Sequence, residues 1–197
     1  PQRSAAAATR SHQSWSLVIN PATSTPSATT QAPVSVARSM TLRTDCSSDG
    51  FAESMLISCH SFIRMAKLAE PLMQEGGSLM TLSYYGAEKV VDHYNVMGPV
   101  KAALEASVRY LAHELGRSSI RVNAISAGAV ATRAASGIEH FDELLNETVR
   151  KAPLRRTVES CEVGRAALML ASDYSSAITG ETLHVDAGFH IEGMVFH

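Results

Sequence analysis

The chain has 197 residues, a formal net charge of −2 and 45% hydrophobic residues, enough apolar material for one sizeable core. No run approaches the roughly 18 apolar residues of a membrane-spanning helix, and near-neutral charge argues against a nucleic-acid binder that works through phosphate contacts. Three separated cysteines, Cys46, Cys59 and Cys161, form no CxxC pair and leave one thiol over in any pairing. That favours a reducing compartment over a disulfide framework and speaks against structural zinc.

The averages hide a break. Residues 1–44 contain Arg3, Arg10, Arg38 and Arg43 but no Lys, Asp or Glu, and 23 of these positions are Ser, Thr or Ala. All 12 glycines lie at Gly50 or later. One short apolar run, Leu17 to Ile19, gives the segment little from which to build a core. Three readings of it stand side by side. It is a disordered tail, an organelle transit peptide of the Arg- and Ser-rich, acid-poor kind, or a frame-disrupted N-terminus. The expected division is a low-complexity segment over 1–44 and a folded domain over 45–197.

From Asp45 the pattern changes. Phe51, Met55, Cys59, Phe62, Ala66, Ala69 and Met73 recur at steps of three and four, which predicts an amphipathic helix of about six turns. Asp49 is the expected cap, Pro71 falls in the last turn and Gly76-Gly77 mark the turn beyond. Ser78 to Ser83 reads as a buried strand and Tyr84 to His93 as a loop. From about Asn95 to Gly116 a second helix places Val100, Leu104, Val108, Leu111 and Leu115 on one face. Ile120 to Ile125 reads as a strand, and a small-residue loop follows it. Helices near Phe141–Val149 and Cys161–Ser172 lead to a last strand at Thr182–Val185. Apolar strands separated by helices imply a parallel sheet covered on both faces. Such a sheet binds its ligand outside the carboxyl ends of the strands, where Ser83-Tyr84, Ser126-Ala-Gly128 and Asp186 are expected.

Tyr94 and Lys101 stand seven residues apart at the predicted helix start, a spacing that returns to nearly the same helical face. An ammonium beside a phenol lowers the phenol pKa and makes Tyr94 a better proton donor or oxyanion partner; the same ammonium can hold a ribose hydroxyl. The plain alternative is a packing tyrosine and a solvated lysine. Tyr84 follows the strand directly at the ligand edge, although a loop aromatic covering the core explains it as well. His184, Asp186 and His190 suggest a metal only weakly, since a strand and turn offer them local hydrogen bonds. No GxSxG, HExxH or phosphate-binding P-loop is present in the sequence.

The stretches LSYYGAEKVVDHYNVMGPVKAALEASVRYLAHELG and RVNAISAGAVATRAASGI, with APLRRTV, EVG and ITGETLHVDAGFHIEGM, resemble the NADH-dependent enoyl-acyl-carrier-protein reductases of bacterial fatty acid synthesis, a branch of the short-chain dehydrogenase/reductases. The resemblance covers about three quarters of the chain, from Asp45 to Met194. It implies an α/β fold, the C-terminal half of a doubly wound, Rossmann-like parallel sheet. It also implies hydride transfer from NADH to the trans-2 double bond of an acyl thioester on acyl carrier protein. By motif, Tyr94 meets the developing enolate oxygen, Tyr84 positions the acyl group and Lys101 binds the nicotinamide ribose. Val130 and Thr132 meet the carboxamide and pyrophosphate, while Met97, Ala134 and Ala135 line the acyl pocket. A homotetramer in the bacterial cytoplasm goes with it, or an organelle if residues 1–44 are a transit peptide, without metal, membrane or nucleic acid. The other functions considered are a non-catalytic oligomerising fragment and a short-chain reductase acting on carbonyls.

The departures from the family pattern are specific. Pro99 stands where an aliphatic residue is usual; in a helix interior it costs about 3 kcal/mol, and less in the first turn. Ala129 replaces Pro, Ala131 a basic residue, and Arg133 enters an apolar stretch. No glycine precedes Gly50, and a phosphate-cradling turn needs glycine. The expectation is therefore a reductase without much of its cofactor-binding half.

Overall fold

The computed structural model describes residues 15–19, 27–30, 46–92, 94–130 and 141–193; for 15–19, 27–30 and positions 141, 142 and 144 this is the backbone alone. Three strands, β3 (Gly77–Ser83), β4 (Ile120–Ala127) and β5 (Thr182–Val185), pair in parallel in that order. These are the three strands expected from the apolar runs. Two more, β1 (Trp15–Ile19) and β2 (Ser27–Thr30), form an antiparallel pair, and β1 runs antiparallel along β3. β1 contains the Leu17–Ile19 run, and its pairing occupies the edge that β3 would otherwise present.

Alternation along the parallel strands sends side chains to opposite faces. Leu79, Val122 and Ala124 join one buried cluster with Phe62, Ala66, Met73, Val100, Leu104 and Val108. Met80 and Ile125 join another with Leu170, against which Leu183 and Val185 pack. The first cluster belongs to α1 (Ser48–Met55), α2 (Ser61–Ala69) and α3 (Met97–Leu115), and the second to α5 (Ser160–Ala171). Both faces of the parallel strands are thus covered. α4 (Phe141–Lys151) lies between β4 and α5 in the chain.

The first predicted helix is broken in a way that periodicity does not reveal. A π-helical turn (Leu56–His60) joins α1 to α2, and Pro71 sits in a closing 3-10 turn (Glu70–Leu72). Cys59, Phe62, Ala66, Ala69 and Met73 are buried as expected, whereas Phe51 is 38% exposed. The cap is Ser47 rather than Asp49: Ser47 has the extended backbone a cap requires and accepts a hydrogen bond from the Gly50 amide at 3.1 Å. Asp49 lies in the first turn, where its charge complements the helix dipole. Pro99 is the third residue of α3, among the amides that have no partner within the helix, so the interior penalty does not apply.

Candidate active site

Because the strands are parallel, Ser83, Ala127 and Val185 all end at one edge, as the apolar-strand pattern implied. The chain leaving β3 is extended at Tyr84, makes a 3-10 turn at Tyr85–Ala87 and returns through Tyr94 to α3. Tyr94 precedes the helix instead of lying on it. The left-handed backbone of Asn95 (φ 48°) separates the two, and the Met97 amide donates to the Tyr94 carbonyl at 3.1 Å. The seven-residue helical spacing therefore does not describe the pair. The Tyr84 and Tyr94 rings meet edge to face with centroids 4.8 Å apart.

Gly86 makes that packing possible, since a Cβ there would overlap the Tyr94 ring. Gly86→Ala is expected to destabilise the fold by about 1–3 kcal/mol through overpacking, read as a lower urea midpoint with unchanged m; an unchanged midpoint would contradict this packing.

Lys101 is buried, with only 8% of its surface exposed, and its Nζ donates to the Leu82 carbonyl at 2.7 Å. It is not the solvated lysine of the plain reading. Burial lowers its pKa to about 8, against the opposing charges of Glu105 and Cys59. Tyr94 moves in the opposite direction to the one expected. Burial raises its pKa well above the ordinary phenol value, and Tyr84 and Glu105 add to the rise. The reason is geometric: the ammonium is engaged at the end of β3, and dehydration of the phenol dominates. Burial, with a contribution from Tyr85, pushes Tyr84 up to about 12. Both phenols keep their protons at neutral pH.

The exit of β5 closes the other side. The Asp186 carboxylate accepts from the amides of Gly188 and His190, at 3.0 and 2.9 Å, and lies 2.9 Å from His190 Nδ1. The rings of His184 and His190 stack at 3.9 Å. Local bonding thus occupies Asp186 and His190, and no group of three or more His, Cys, Asp or Glu suited to a metal occurs among the described residues. His184 Nε2 lies 2.9 Å from Glu88 Oε1, off the hydrogen-bonding direction. Tyr85 packs edge to face on Phe189 at 5.5 Å. The loop after β3 is thereby tied to the turn after β5.

After β4, a Cβ on Gly128 would come within 2.9 Å of Asp186 Cα, so only glycine fits this close approach. Val130 packs on the small cluster of Ala152, Val158 and Ala187, and Met97, the first residue of α3, is buried in the main core. Thr132, Ala134 and Ala135 lie outside the described residues. Sequence reading placed Ser83 at the strand edge but missed its partner, Glu105. Ser83 Oγ donates a hydrogen bond to Glu105 Oε1. The available signal was an acidic residue beside Leu104 on a mainly apolar face, four residues after Lys101.

The sequence profile of the enoyl-(acyl carrier protein) reductases matches residues 32–190. The NADH enoyl-acyl-carrier-protein reductase 1 of Rhizobium meliloti is 59% identical over 150 residues, covering 76% of this chain and 55% of the relative. The corresponding Bacillus cereus reductase is 51% identical over 149 residues, covering 76% and 58%. The chain spans a little over half the length of these curated relatives. Among solved structures, the Bacillus cereus reductase with NADP+ and indole naphthyridinone matches with a TM-score of 0.78 at 48% identity, covering 81% of this chain and 62% of that one. The Anaplasma phagocytophilum reductase in complex with NAD matches with a TM-score of 0.71 at 56% identity, covering 76% and 55%.

Proposed function

Because the chain belongs to the enoyl-(acyl carrier protein) reductase family, we propose that its site serves NADH-dependent reduction of the trans-2 double bond of a fatty acyl thioester carried on acyl carrier protein. The observation that carries this reading is the Tyr84–Tyr94 ring pair following a parallel strand whose end, at Leu82, is held by the buried Lys101.

The residues fit the nicotinamide side of such a cofactor. Of the three donors on the Lys101 ammonium, the bond to Leu82 uses one, which leaves two for a pair of ribose hydroxyls. Gly128 keeps the backbone after β4 close to the sheet edge. Val130 and Thr132 would face the carboxamide and pyrophosphate, and Met97, Ala134 and Ala135 the acyl chain. The chemistry that NADH supplies when bound is a hydride for the β-carbon. Tyr94 donates a hydrogen bond to the thioester oxygen, where enolate charge develops, a contact worth a few kcal/mol in a dry site. Tyr84 holds the acyl group against that donor. The same reading carries with it a homo-oligomer, a tetramer by family resemblance, in the bacterial cytoplasm.

No glycine precedes Gly50 and a phosphate-cradling turn of the usual kind needs glycine, so weak retention of NADH by the 197 residues is the expected result. Crotonyl-thioester-dependent oxidation of NADH, followed by absorbance, tests both statements. The expected rate rises with NADH well into the millimolar range. Absence of any thioester-dependent rate would refute the activity, and saturation at micromolar NADH would refute the weak retention.

A further inference from the structure

We propose that Glu105 is a positioning residue: with Lys101, one helical turn before it, it clamps the last two residues of β3 and so fixes the direction in which Tyr84 leaves the sheet. The inference rests on the reading of Tyr84 as the group that holds the acyl thioester.

The two contacts fall on consecutive residues. Lys101 Nζ donates to the Leu82 carbonyl, and Glu105 Oε1 accepts from Ser83 Oγ. Tyr84 comes next, with an extended backbone (φ −150°, ψ 149°), so the placement of Ser83 sets where the ring points. The ring then meets Tyr94. Glu105 is 8% exposed and Ser83 5% exposed. A carboxyl beside Leu104 on the buried face of α3 is costly unless it is partnered, and packing alone would favour an aliphatic residue there. Burial pushes the Glu105 pKa up, the Ser83 hydroxyl is the largest influence opposing that shift, and the charges of His184 and Arg109 oppose it too while Glu88 adds to it; the Ser83 contact is the hydrogen bond that partners the buried carboxyl. Lys101 and Glu105, four residues apart on one helix face, therefore hold the strand end at two adjacent points.

The test incorporates 3-fluorotyrosine at Tyr84 and records its fluorine resonance in the full chain, with circular dichroism as a check on folding. Glu105→Ala and Ser83→Ala are each expected to move and broaden the resonance. Glu105→Gln, whose amide oxygen still accepts from Ser83, is expected to restore the wild-type position. An unmoved resonance in the alanine variants would overturn the proposal, as would Glu105→Gln moving it as far as Glu105→Ala. If Glu105→Ala does not fold, Ser83→Ala, which opens the same contact from the strand side, decides. The fluorine readout needs neither NADH nor thioester. Failure of enoyl reduction in the wild type would therefore remove the functional reading and leave the clamp independently tested.

Discussion

Tyr94→Phe is expected to lower kcat for enoyl-thioester reduction by about 10²–10³-fold, the loss typical of removing one donor to a developing oxyanion. The substitution is clean because phenylalanine keeps the edge-to-face contact with Tyr84 and the ring that Gly86 accommodates. Only the hydroxyl is removed. Since burial already holds the phenol protonated across the accessible range, the lost function is hydrogen-bond donation, and KM for the thioester should change little. Steady-state kinetics with a crotonyl thioester, alongside a thermal melt, checks both. A kcat within about threefold of wild type with an unchanged melt would remove Tyr94 from the proposed role.

Lys101→Met is expected to lower kcat/KM for NADH by about a hundredfold, because two charge-assisted hydrogen bonds to ribose hydroxyls are lost, without lowering the melting temperature. The second half follows from linkage. Burial lowers the Lys101 pKa from 10.5 to about 8. Between those values the unfolded chain holds a proton that the folded chain does not, so stability rises with pH across that window. Below it, the folded state carries a constant penalty on the order of 3 kcal/mol. Methionine removes the charge responsible. In the wild type, kcat/KM should fall about tenfold per pH unit above pH 8 as the ammonium loses its proton. Loss of stability in Lys101→Met at pH 7, or a flat rate profile between pH 7 and about 9.5, would contradict this account of the lysine.

Much of the architecture was legible because it follows from periodicity. The continuously apolar strands at Ser78, Ile120 and Thr182, and the Val100–Leu115 stripe, form the elements they predict. What escaped depends on atoms that periodicity does not describe. The π-helical turn at Leu56–His60 leaves the apolar pattern almost intact. The antiparallel pairing of β1 along β3 joins a weakly apolar segment to a strand some sixty residues away. At the site, the Tyr84 and Tyr94 rings meet and Lys101 reaches the end of β3, but the expected lowering of the Tyr94 pKa is not found, because Asn95 takes Tyr94 off the helix and burial of the phenol dominates. Glu105 went unnoticed because a single acid beside Leu104 looks like a solvated helix residue until Ser83 is seen to meet it.

In the proposed reaction Tyr94 stabilises an enolate formed by conjugate reduction, and not an alkoxide formed from a ketone. The most direct test compares kcat/KM for a trans-2-enoyl thioester and a 3-keto thioester of equal chain length at the same NADH concentration. A preference of about a hundredfold or more for the enoyl compound is expected, abolished in Tyr94→Phe. Equal rates, or a preference for the ketone, would contradict it.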